Sequence, residues 1–230
     1  KELNNKTIQL IQENENENEN VTNHHHDSWL IPSVQYHGAN IQQDQSIVSN
    51  LFQYIQEEKQ EKQEKIQLAT GYFNMIPSYI DSIKNLGDNI NILCSSEQAN
   101  GFYTAKRPLN IIPNIYTQLL KQAVKNSHDH IQPLLYSRSL WTFHAKGLWC
   151  INHKDQYYAT MIGSSNYGYR SVYRDTELSL LCFTNNQELQ QKLKEEYQLL
   201  KKYCYINDKR KKNNLYSYIL SKSKWLKTLL

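Results

Sequence analysis

A chain of 230 residues, 39% hydrophobic and 21% charged, is long enough for one ordinary domain with a real core, or one domain plus tails. Its formal net charge of +4 suits a phosphate-bearing or anionic-membrane partner without selecting one. No apolar run of about 18 residues is present, so no membrane-spanning helix is expected. The cysteines, Cys94, Cys150, Cys182 and Cys204, show no CxxC or Cys/His ligand spacing, which favours buried reduced thiols over a disulfide frame or a zinc site. There is no secretory signal, and a start at Lys1 leaves room for a targeting segment upstream.

Residues 1–27 read as a disordered low-complexity segment. Glu and Asn alternate from Gln12 to Asn20, and His24-His25-His26 is weighed as an incidental polar tract rather than a metal site. After Trp29-Leu30-Ile31-Pro32 the pattern becomes periodic. Ile47, Leu51 and Ile55, with Val48 and Phe52, define one helical face, and Glu57–Lys65 extends it as a solvated end. A strand over 66–72 follows, then a helix over 76–86 stopped by Gly87, a strand over 90–94 and a loop from Gly101 to Pro108. A helix over 111–124 carries Ile115, Leu119 and Leu120, and a third strand covers 131–136. Three more strands are predicted at 142–151, 156–162 and 176–183, the first two joined by the polar turn Asn152-His153-Lys154-Asp155. Asn185 with Glu188 three residues on predicts a helix start of the capping-box kind, with Leu189, Leu193, Tyr197 and Leu200 as its core face. A basic amphipathic helix is expected over 209–230. The alternation implies an α/β sandwich with helices on both faces of a largely buried sheet.

Chemistry concentrates at His144-Ala145-Lys146 and Gly163-Ser164-Ser165-Asn166. On a strand, i and i+2 share a face, so His144 and Lys146 project together. A lysine on a half-buried surface is costly unless it meets an anion, and phosphate satisfies it. Glycine permits close backbone approach, while Ser164 and Asn166 can donate to non-bridging phosphate oxygens. Taken alone, G-S-x-N is an ordinary turn; beside H-x-K it becomes one wall of an anion site. Glu177 is the carboxylate expected to fix the histidine tautomer, with a surface charge as the bland alternative.

This set resembles the phospholipase D superfamily, whose signature is H-x-K, then G-S-x-N, then a downstream acid. The resemblance implies an α/β/α sandwich with a mixed central sheet, forming one half of a two-half enzyme. It also implies a phosphohistidine mechanism with His144, Lys146, Ser164, Asn166 and Glu177 in catalytic roles, and no obligatory metal or cofactor. The family's usual aspartate five residues after the lysine is Ile151 here, and the gap between the motif halves is longer. A closer resemblance is to eukaryotic mitochondrial phosphatidylglycerophosphate synthases. It is carried by Leu68–Asn74, Asn100–Phe102, Trp141–Trp149, Ile162–Ser171 and Tyr173–Glu177, and spans residues 28 to 230 in order. It implies phosphatidyl transfer from CDP-diacylglycerol to glycerol 3-phosphate, releasing CMP, in a mitochondrial protein peripheral on the inner membrane.

Under that resemblance Arg170, Arg174, Tyr72, Asn74 and Lys106 are the substrate-binding candidates, with plain surface arginines weighed equally for the first two. The last thirty residues interleave lysines with Leu215, Ile219, Trp225, Leu226 and Leu229, which fits an anionic membrane surface or a helix packed on the sheet about equally. No other His-x-Lys exists: His37, His128, His130 and His153 all lack the lysine. Two-half relatives use a pair, so the partner is expected to be a missing N-terminal H-x-K half, favoured here, or a second copy of the chain; an inactive product is the third possibility. A nuclease or phosphodiesterase of the same superfamily and a non-catalytic lipid-surface domain are the competing functions, although no nucleic-acid groove is evident and no nucleic-acid partner is expected.

Overall fold

The computed structural model describes residues 27–62, 64–86, 90–127, 131–206 and 222–223. The expected N-terminal disordered segment, the Gly87 stop and the C-terminal basic helix fall almost entirely outside these residues.

Within them the chain forms strands β1 (Ser28–Tyr36), β2 (Ile41–Gln42), β3 (Lys65–Thr70), β4 (Ile90–Ser95), β5 (Gln132–Tyr136), β6 (Gly147–Ile151), β7 (Tyr157–Gly163), β8 (Thr176–Thr184) and β9 (Cys204–Ile206). Its α-helices are α1 (Gln43–Lys62), α2 (Pro77–Leu86), α3 (Ile112–Asn126), the one-turn α4 (Tyr169–Tyr173) and α5 (Gln187–Lys201). The described strands make one mixed sheet in the order β2-β1-β8-β7-β6-β3-β4-β5-β9. β3, β4 and β5 run parallel, because α2 and α3 carry the crossovers between them. β6, β7 and β8 are antiparallel neighbours, with the expected tight turn over 152–155 between the first two.

The apolar residues sort onto two faces by strand alternation. Ile66, Leu68, Ile90, Ile92, Leu148, Cys150, Ala159 and Met161 face one side, where they pack with Phe52, Ile55, Ile80, Ile83, Leu120 and Val124 of α1, α2 and α3. Ala69, Leu93, Trp149 and Ile151 face the other, beneath Leu193 and Tyr197 of α5. Strand β6 is buried on both faces along its whole length, as a central strand must be.

The structure corrects the sequence reading at three points. First, β1 is a full strand paired to β8 over nine positions, from Ser28↔Thr184 to Tyr36↔Thr176; Pro32 and the lack of clean alternation hid it. Second, α5 is capped by Asn186, not Asn185: its side chain accepts from the Leu189 amide at 2.9 Å. Third, residues 141–146 lead into β6 without joining its pairing, so His144 and Lys146 sit just before the strand.

Candidate functional site

Register puts the two motifs together. Ala69 pairs with Gly147, Gly147 with Ile162, and Gly163 with Ser179. The C-terminal ends of β3 and β7 and the N-terminal ends of β6 and β8 therefore meet at one edge of the sheet.

His144 and Lys146 project to the same side, with their side chains in contact. Lys146 Nζ lies 3.0 Å from His144 Nε2 and donates to the His144 carbonyl at 3.1 Å. An ammonium is only a donor, so Nε2 is the acceptor and the ring proton rests on Nδ1. Burial first, and the Lys146 charge second, push the His144 pKa below its usual value. Burial also lowers the Lys146 pKa, and the nearby Glu177 charge opposes that shift.

Close packing positions the ring. A Cβ on Gly71 would stand 3.2 Å from both Cα and Cδ2 of His144, so glycine at the end of β3 admits the histidine. Tyr72, next in sequence, leans on the imidazole with ring centroids 5.2 Å apart and stacks on Tyr116 of α3 at 5.3 Å. The Tyr72 candidate thus lines the site, and Tyr116, which periodicity placed only in a helix, backs it.

On the second wall, Ser164 Oγ donates to Glu177 Oε2 and accepts from the Leu178 amide at 3.1 Å. Glu177 is only 6% exposed. Its hydrogen bond is to Ser164 rather than to the imidazole, and its charge opposes the lowering of the Lys146 pKa. Asn166 is pinned through its main chain: its amide donates to Ser171 Oγ at 3.0 Å, and its carbonyl accepts from Thr70 Oγ1 at 3.0 Å. Its own Oδ1 is buried without a hydrogen-bond partner. Such an orphan in an anion-binding motif is a ready contact for a protonated ligand group, or, with the amide turned, leaves the NH2 free to donate.

Beneath this wall lies a residue the sequence reading missed. Asp44, in the first turn of α1, is buried and accepts from Ser33 Oγ and, at 2.8 Å, from Ser179 Oγ. Burial raises its pKa against the pull of those two bonds, and the Glu177 charge adds to the rise. Nothing local marks it, because Ser33, Asp44 and Ser179 meet only when β1 joins β8.

The other candidates divide. Asn74 is buried and its carbonyl accepts from the Tyr169 amide at 2.9 Å, beside the Met75↔Gly168 bridge that closes the motif loop. Arg170 stands at the rim in an ion pair with Asp175 at 2.9 Å, and that bond raises its pKa. Arg174 is exposed at the end of α4. Lys106 is exposed in the loop after β4. Among the described residues no group of His, Cys, Asp and Glu could hold a metal, and no helix is long and apolar enough to cross a membrane.

A mixed sheet that brings H-x-K against G-S-x-N and a buried acid defines a class. The chain's fold is similar to that of phospholipase D-like proteins of known structure. Its fold matches phosphatidylserine synthase of Haemophilus influenzae Rd KW20 (TM-score 0.64, 19% identity, 78% of this chain and 40% of that one). It also matches the phospholipase D family member Nuc of Salmonella typhimurium (TM-score 0.50, 12% identity, 79% and 99%). No family model matches the sequence.

Within that class the chain is a homologue of CDP-diacylglycerol–glycerol-3-phosphate 3-phosphatidyltransferases. It is 37% identical over 180 residues to the mitochondrial protein of Gallus gallus, covering 76% of this chain and 31% of that one. The figures are 36%, 76% and 32% for Homo sapiens, and 34% over 140 residues, 59% and 28% for Schizosaccharomyces pombe. The chain spans about a third of the length of these relatives.

Proposed function

We propose that this chain supplies one wall of a phosphatidyltransferase site that moves a phosphatidyl group from CDP-diacylglycerol to the hydroxyl of glycerol 3-phosphate, releasing CMP. The observation that carries the reading is the Lys146–His144 pair at 3.0 Å facing the Ser164–Asn166 wall, in a chain that is 37% identical over 180 residues to a named phosphatidyltransferase.

The chemistry needs a nucleophile and a proton carrier, and a second H-x-K provides the other histidine. It comes from sequence outside this chain or from a second copy. In the first step one imidazole attacks the phosphatidyl phosphorus, the bond from phosphorus to the CMP oxygen breaks, and the other histidine protonates CMP. In the second, that histidine takes the proton of the glycerol 3-phosphate hydroxyl, whose oxygen displaces the phosphohistidine. His144 is assigned the acid–base role. A phosphoenzyme trapped in the full-length protein with its label on His144 would reverse that assignment.

Lys146 and Asn166 hold the non-bridging oxygens, where charge builds in the transition state. Ser164, fixed by Glu177, shapes the same cradle. Arg170, Arg174, Tyr72 and Asn74 bind substrate around it, and Lys106 lies farther out on the rim. The reading places the protein in the mitochondrion, peripheral on the inner membrane, with 28–208 as the catalytic unit and the segment 209–230 resting on anionic lipid.

The test is incorporation of labelled glycerol 3-phosphate into lipid by the full-length protein with CDP-diacylglycerol. His144→Ala should reduce it at least ~100-fold with the fold retained. Unchanged incorporation in His144→Ala, or cleavage of single-stranded DNA in place of lipid synthesis, sinks the reading.

A further inference from the structure

Two loops beyond β4 and β5 form the rim of the site, and their composition is unusual. The loop after β4 carries one acid, Glu97, just after the strand, against Lys106 and Arg107, and residues 137–146 carry Arg138 and Lys146 with no acid. Among these cations stand exposed apolar side chains: Tyr103, Leu109, Leu140 and Trp141. Leu140 is wholly exposed at 103%, and its φ of 64° lies in the left-handed region that favours glycine or asparagine. A leucine held in that backbone, with nothing packed on it, is a poor choice for a surface that meets only water.

The tip is held firmly. The Arg138 guanidinium sits 3.9 Å from the Trp141 ring centroid and 4.6 Å from that of Tyr203. The Trp141 amide donates to the Arg138 carbonyl at 3.1 Å, and the Ser137 amide to the Tyr203 carbonyl at 2.8 Å. The Phe143 amide donates to the Ala99 carbonyl at 2.8 Å, tying the two loops together. The result is a leucine and a tryptophan presented by a rigid turn, flanked by cations, three residues before His144.

We propose that this rim, with Leu140 and Trp141 at its tip and Arg138, Lys106 and Arg107 around them, inserts into the interface of an anionic phospholipid bilayer. Tryptophan sits favourably at headgroup depth, leucine reaches the acyl boundary, and each cation near the surface gains from anionic headgroups. The excess of cations over acids on this rim favours a lipid surface over a second protein, which would be expected to answer a cation with a specific carboxylate. Insertion here sets the mouth of the His144 site at the bilayer, independently of the C-terminal basic segment. The inference leans on the phosphatidyl-transfer reading only for the reason to be there. Vesicle binding is measured without turnover, so either can fail alone.

The full chain is sedimented with vesicles of phosphatidylcholine, with and without phosphatidylglycerol. Wild type should bind the anionic vesicles. Leu140→Asp should lower the partition at least ~10-fold, since it removes a buried side chain and adds a repelled charge. Leu140→Gly, which suits the left-handed backbone and so keeps or raises the melting temperature, should lower it several-fold. Brominated phospholipid should quench tryptophan emission in wild type, and less in Trp141→Phe. The proposal is overturned if both Leu140 variants partition as wild type does, or if Trp141→Phe leaves the quenching unchanged. It is equally overturned if Leu140→Gly alters only self-association of the chain.

Discussion

Gly163→Ala is the sharpest perturbation of the candidate site, because no atom facing that position can yield freely. A Cβ there would fall 2.2 Å from Ser179 Oγ, 2.6 Å from the Leu178 carbonyl oxygen and 2.7 Å from Ser179 Cα. The hydroxyl could swing aside only by releasing Asp44 Oδ2, to which it donates at 2.8 Å. Breaking that hydrogen bond to a buried carboxyl costs about 1.5–3 kcal/mol if the group is charged. The carbonyl cannot swing, because it accepts from the Ser164 amide at 3.1 Å, so β7 and β8 must separate locally, at about 1–3 kcal/mol for overpacking. The expected loss is therefore about 2.5–6 kcal/mol, or roughly 5–24 °C in melting temperature for a domain of this size. Circular dichroism melts of wild type and variant, at matched concentration and pH 7, measure it. A fall of less than about 2 °C would refute the reasoning, since it would mean that the β7–β8 end is loose enough to absorb a methyl group.

Two further outcomes test the electrostatics. Lys146→Met removes a cation that depresses the His144 pKa, so the imidazole should titrate at a higher pH than in wild type; an unmoved titration in a histidine NMR series refutes the pairing. Asp44 has a raised pKa, so between the ordinary carboxylate value and its own the folded chain keeps a proton that the unfolded chain has released. Its contribution to stability should therefore fall as pH rises through that window and level off above it. Urea unfolding against pH should lose that slope in Asp44→Asn; an identical slope in the variant places the titration elsewhere.

The parts legible in sequence were those with local signals. Helical faces such as Ile47, Leu51 and Ile55, and buried runs such as Ile90–Cys94, follow from periodicity, and both lie where expected. The two-residue repeat of a strand pairs His144 with Lys146, and their side chains do meet, although the strand itself begins at Gly147. What could not be read is what long-range pairing creates. Asp44 looks like any helix-start acid until Ser33 and Ser179 are drawn to it across β1 and β8. The Glu177 bond goes to Ser164, thirteen residues away, because the β7–β8 register puts Gly163 opposite Ser179. Arg170 pairs with Asp175 because the single turn of α4 folds the chain back on itself, a geometry that no charge pattern specified.

The pairing of β1 with β8 also limits how small a working unit can be cut from this protein. Ser33 and Asp44 lie a hundred or more positions before His144, yet they hold Ser179, which faces Gly163 in the motif wall. The first strand is fastened at its outset too, where the Asn185 amide donates to the Asp27 carbonyl at 2.7 Å. A truncation designed around the motifs alone, starting at β3 for instance, would keep every residue proposed to touch substrate and still lose the alignment of the loop that presents Ser164 and Asn166. Excision should therefore begin upstream of Asp27, even though nothing between there and Tyr36 takes part in the chemistry.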